Sequence, residues 1–152
     1  MKLDTMTFRL VHEEEMTLLL PILSLITPFR SEEALTAALQ EMFGQGYRCA
    51  AAFDGTRCIG VVGLWIQTKF YIGRHVEYDH LFILPPYRRR GIGERLLQCV
   101  DRYALERGCI AAELICDITE ERSRRFWESH RFETVGTRYR KRFVRNPPET
   151  SA

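Results

Sequence analysis

The chain has 152 residues, 45% hydrophobic and 28% charged, with a formal net charge of +2 and five cysteines. This is the balance of a globular domain with room for a core, and the charge is too small to imply a nucleic-acid partner. No apolar run approaches the ~20 residues that span a bilayer. The cysteines (Cys49, Cys58, Cys99, Cys109 and Cys116) form no Cys-x-x-Cys pair, which argues against a zinc site or a disulfide scaffold.

In chain order, Thr7 to Leu10 predicts a short strand, and His12 to Leu25 a helical stretch that Pro21 is expected to break. Ser31 with Glu32 and Glu33 opens a second helix, since serine caps and early acids suit the helix dipole; Gly44-Gln45-Gly46 ends it. Tyr47 to Phe53 and Cys58 to Thr68 form a hairpin through Asp54-Gly55. His75 to Leu84 is the next strand, Gly91 to Arg107 a helix capped by Gly108, and Ile110 to Cys116 a short strand. Glu120 to His130 predicts a last helix, followed by a hairpin of Phe132–Val135 and Thr137–Val144. The order β-α-α-β-β-β-α-β-α-β-β implies an α/β (α+β) fold, with a mixed central sheet flanked by helices. A single domain over 1–145 and a polar tail over 146–152 are expected.

The run Arg88-Arg89-Arg90-Gly91-Ile92-Gly93 lies between an apolar strand, closed by Pro85-Pro86, and an amphipathic helix. Glycines let the backbone turn tightly, the free amides of a helix start attract an anion, and arginines add bidentate phosphate contacts. A P-loop would need Lys-Ser/Thr after its last glycine, where Glu94-Arg95 stands; a dinucleotide fingerprint would need glycine where Leu96 stands. The pattern that remains is Arg-x-x-Gly-x-Gly, for which a solvated arginine turn is the plain structural alternative.

With its strand and helix, this loop resembles the coenzyme A loop of GNAT-type N-acetyltransferases, and the element order over roughly residues 5 to 145 is that of the GNAT fold. The resemblance implies acetyl-CoA as cofactor, held by Arg88, Arg89, Arg90, Gly91, Ile92, Gly93 and Glu94, with the backbone of Phe82, Ile83 and Leu84 along pantetheine. It implies a carboxylate base on the preceding strand. Glu77 and Asp79 sit two apart and share a face, whereas Tyr78 and His80 are expected on the other. Ser123 to Phe132 resembles the family's Ala-x-x-Phe-Tyr-x-x-x-Gly-Phe helix, but Trp127 replaces the tyrosine that often protonates the thiolate and Arg131 replaces the glycine. An indole N–H cannot give up its proton at neutral pH. Trp127 is therefore assigned to packing along pantetheine or to the core, and Tyr139 or water to the proton.

These expectations describe an N-acetyltransferase acting on a primary amine of a small molecule, peptide or protein. The weighed alternatives are a non-catalytic acyl-CoA-binding module and, from the basic run Arg138 to Arg145, a nucleic-acid binder. The residues Met1 to Leu10 lack signal-peptide order, so a cytoplasmic protein with no membrane, nucleic-acid or metal partner is expected. Oligomeric state, a homodimer included, stays open.

Overall fold

The structure, a computed structural model, describes residues 2–143. Val144, Arg145 and the 146–152 tail lie outside the described residues. Contacts divide the chain into two units, Met1–Leu114 and Ile115–Ala152.

The first unit holds one five-stranded sheet in chain order: β1 (Thr7–Leu10), β2 (Arg48–Asp54), β3 (Arg57–Lys69), β4 (Gly73–Ile83) and β5 (Ala111–Leu114). The first four strands pair antiparallel, and β5 pairs parallel with β4. A parallel neighbour needs a crossover, which α3 (Ile92–Glu106) supplies. Ile92, Leu96, Leu97, Val100 and Ala104 recur at helical spacing and are all at most 4% exposed. They pack α3 against β1 to β4. Burying each of the larger ones contributes about 1.5–3 kcal/mol.

Between β1 and β2 lie a 3-10 helix (Glu13–Leu19), α1 (Leu20–Ile26) and α2 (Glu32–Gly44). Pro21 does not break the helical stretch; it falls in the first turn of α1, where its missing N–H has no partner to lose. Ser31 caps α2 as predicted, its Oγ accepting from the Ala34 amide at 3.1 Å. Gly55, with φ 60°, turns the β2–β3 hairpin.

The second unit contains α4 (Glu121–Ser129), whose Trp127 packs edge-on against Phe126 at 5.1 Å and Phe132 at 5.2 Å between ring centroids. The expected closing hairpin does not form. Residues 132–143 have no strand, and all but Phe132 in that stretch are exposed. Arg138, Arg140, Lys141 and Arg142 place four cations in five positions, and a two-stranded ribbon is marginal even without such repulsion.

Candidate active site

The Arg88–Gly93 loop leaves the end of β4 through a short 3-10 turn, Pro85–Tyr87, which Tyr87 ties to the β2–β3 hairpin by donating to Asp54 Oδ2 at 2.9 Å. Two residues then take left-handed backbone, Arg89 at φ 60° and Gly91 at φ 76°. Gly91 is the cap of α3, and no side chain caps that end. The amides of Gly91, Ile92, Gly93 and Glu94 donate to no protein acceptor among the described residues. They sit at the positive end of a 15-residue helix. A Cβ on Gly91 would meet only Leu3 Cδ1, at 3.8 Å, so the space before the amides is open. Unpartnered amides, a positive helix end and the exposed guanidiniums of Arg89 and Arg90 fit a pyrophosphate.

The side chains of the loop divide the work. Arg88 braces the loop to the strand, its Nε donating to Ile83 O at 2.8 Å and its guanidinium lying 5.3 Å over the Phe82 ring. Arg89 and Arg90 are exposed. Ile92 is 1% exposed and belongs to the core, so only its backbone can serve a ligand. Glu94 offers an amide too, and its carboxylate faces solvent.

Beside the loop, β4 changes character along its length. From His75 to Tyr78 it pairs with both β3 and β5; β5 ends at Leu114, opposite Tyr78. Asp79 to Ile83 has a partner strand on the β3 side alone. Leu84 N–H turns toward β3, donating to Ile59 O at 2.9 Å, so alternation turns the N–H and C=O of Ile83 to the open edge. Phe82 pairs with Val61. Leu84 does not fit its expected role: its N–H is engaged by Ile59, and its carbonyl accepts from Tyr87 N–H at 2.9 Å.

The register slips within this half. Gly63 lies opposite Asp79 and Val61 opposite Phe82, so Val62 alone faces both His80 and Leu81. This is a β-bulge, with His80 at φ 35°. The slip overturns the expected alternation. His80 lies on the same face as Asp79, above Gly63, where an added Cβ would come 2.5 Å from His80 Nε2 and 2.6 Å from Tyr47 Cε2. Tyr78 does face away, its hydroxyl donating to Asp101 of α3.

Four side chains converge on that face. Tyr47, fully buried, has its hydroxyl 2.6 Å from His80 Nε2. Its ring lies 5.4 Å from Trp65, and Trp65 Nε1 donates to Asp79 Oδ2 at 3.4 Å. Glu77 is next along the strand, with Lys69 Nζ 3.8 Å from its Oε2. Burial pushes the Tyr47 hydroxyl pKa well up and the His80 pKa down, the latter opposed by the Asp79 charge. Burial also raises Cys49 to about 12 and Cys58 to about 11, so neither is a thiolate at neutral pH. Sequence reasoning missed Tyr47, Gly63, Trp65 and His80. The glycine inside the apolar run Val61-Val62-Gly63-Leu64 was the available signal, since strand glycines mark bulges.

Trp127 is a core aromatic of the second unit, 9% exposed, and Tyr139 is 91% exposed in its irregular stretch.

A mixed sheet that opens beside an uncapped, arginine-rich helix start defines an α+β protein able to hold an anionic cofactor at the end of β4. The chain belongs to the Acetyltransferase (GNAT) family, which it matches over residues 16–132. It is 45% identical over 53 residues to an uncharacterized N-acetyltransferase of Archaeoglobus fulgidus, covering 35% of this chain and 36% of that one. It is 29% identical over 89 residues to the mouse thialysine N-epsilon-acetyltransferase, covering 52% and 51%. The matches thus span 36% and 51% of these curated relatives. Its fold is similar to that of the aminoglycoside N-acetyltransferase AAC(6')-Iy, solved in complex with CoA, with a TM-score of 0.80, 21% identity, and coverage of 91% of this chain and 95% of that one. Among the described residues, no helix is long and apolar enough to cross a membrane.

Proposed function

We propose that the protein transfers acetyl from acetyl-CoA to a primary amine of a small molecule, peptide or protein. The observation that carries this reading is the uncapped start of α3, with Gly91 at φ 76°, beside the open edge of β4. The amides of Gly91 to Glu94, with Arg89 and Arg90, hold the pyrophosphate, and Arg88 keeps the loop against the strand. Phe82 and Ile83 lie along pantetheine, Ile83 turning its N–H toward the open edge. When bound, acetyl-CoA supplies an acetyl group activated as a thioester.

Glu77 and Asp79 draw in the acceptor as an ammonium, and its proton passes to a base beside them on β4, directly or through water. Both are half-buried on one face of β4, and their negative charge favours a cation there. Tyr139 or water gives a proton to the leaving thiolate. The mouse relative acts on thialysine and the structural neighbour on aminoglycosides, and both names denote amines. The family match crosses the boundary between the two units, which supports one functional domain over 1–145. Five free cysteines suit a reducing compartment such as the cytoplasm.

Release of free thiol from acetyl-CoA, measured across polyamines, amino acids, aminoglycosides and peptides, tests the reading. Turnover of at least one amine is expected. Background release throughout the panel would sink it.

A further inference from the structure

His80 does not fit a purely structural account. It is held at φ 35°, a backbone region rare outside glycine and costly to maintain. Its ring is fixed from one side only: Nε2 meets the Tyr47 hydroxyl at 2.6 Å, while Nδ1 is buried without a hydrogen-bond partner. A buried polar atom left unpaired costs about 1–3 kcal/mol, so such atoms mark strain or a function. Gly63 is required beneath it, because any Cβ there would collide with both His80 and Tyr47. Strand, bulge, glycine and tyrosine together present one imidazole beside Asp79, at the half of β4 that lacks a second partner strand.

We propose that His80 is the proton acceptor for the acceptor amine, with Tyr47 as the residue that positions its ring. This rests on the acetyl-transfer reading above. Glu77 and Asp79 then attract the ammonium, each being already engaged, by Lys69 and by Trp65. In the step, one N–H bond of the ammonium breaks, its electron pair stays on nitrogen as the attacking lone pair, and the proton bonds to His80 Nδ1. The step requires the tautomer in which Nε2 carries the other ring proton and donates it to the Tyr47 oxygen, leaving the Tyr47 hydroxyl hydrogen for Cys49, its other polar neighbour. The imidazolium formed is stabilised by the adjacent Asp79 charge, and the proton passes to solvent as the products leave.

Burial keeps the resting imidazole neutral at pH 7, as a base must be. The titratable groups facing it are Asp79 on its own strand, Tyr47 ahead of β2, and Cys49 behind Tyr47; β3 brings Gly63 and Trp65, neither of which titrates.

The test is His80→Asn, since asparagine tolerates left-handed backbone and isolates loss of the imidazole. Thiol release would be followed against pH, with acetyl-CoA affinity measured calorimetrically as the fold control. The expected result is a fall in kcat of roughly 100-fold or more, an unchanged acetyl-CoA Kd, and loss of the acidic limb of the wild-type pH profile. Tyr47→Phe is expected to lower kcat about tenfold with little change in KM for acetyl-CoA. Nitrogen NMR of the wild-type ring gives a readout that needs neither variant to fold: Nε2 protonated and Nδ1 bare is expected, and the reverse tautomer would overturn the role. Undiminished turnover with an intact acidic limb in His80→Asn would overturn it as well, leaving acetyl transfer standing. A wild type that turns over no amine would overturn the acetyl-transfer reading, and the His80 role with it.

Discussion

The two halves of β4 are built to different standards. From His75 to Tyr78 the strand is paired on both edges, and all its side chains but that of Glu77 are deeply buried, His75 at 0%, Val76 at 1% and Tyr78 at 5% exposure. From Asp79 to Ile83 one edge is open, the register slips, a non-glycine residue takes positive φ, and every side chain is half-buried. The contrast teaches where a small sheet keeps its stability and where it places its chemistry. A fully paired strand has no backbone group to spare. The unpaired half does, and the paired half holds it in place.

The contrast breaks most severely at its paired end. Val76→Asp would bury an uncompensated charge, at a cost of about 3–5 kcal/mol, a large share of the stability of a domain this size. Circular dichroism is expected to show a protein largely unfolded at 37 °C; a cooperative melt near that of the wild type would contradict the account. At the open end, Gly63→Ala pushes a methyl against Tyr47 and His80. It should cost about 1–3 kcal/mol in urea denaturation while lowering turnover more than its stability loss explains. A variant that loses neither would mean the bulge has room to give.

A smaller effect separates the halves by pH. His80 is lowered below its ordinary 6.5 by burial, so the unfolded chain takes up a proton that the folded one refuses. Stability should therefore be full above pH 6.5, decline as pH falls below it, and stop declining from this cause once the folded-state pKa is passed. Thermal melts from pH 8 to 5 are expected to show this slope in the wild type and a shallower one in His80→Asn. Equal slopes would remove His80 as the source.

Much of the fold was legible because it is local. β1 lies where its four residues predicted it, Ser31 caps its helix, and Asp54-Gly55 turns its hairpin. The phosphate loop was legible for the same reason: glycines, arginines and a helix start fall within a few residues. The bulge was not legible, because period-two alternation assigns His80 to the wrong face and only a register slip against β3 corrects it. Nor was Tyr47 legible, since it meets His80 from 33 residues away. The closing hairpin failed for another reason. Alternation over 137–143 suggested strands, while the charge density of the same residues opposes their pairing.

Everything proposed for this protein depends on the uncapped start of α3 receiving the cofactor's pyrophosphate. Calorimetric titration of acetyl-CoA into wild type and Gly91→Val tests it most directly. A β-branched side chain there both fills the approach to the amides and opposes φ 76°, yet no core atom lies within 3.8 Å of its Cβ. Saturable binding by the wild type is expected, with affinity weakened at least ~100-fold in a folded variant, about 2.7 kcal/mol. Equal affinity in a Gly91→Val protein that melts like the wild type would contradict it.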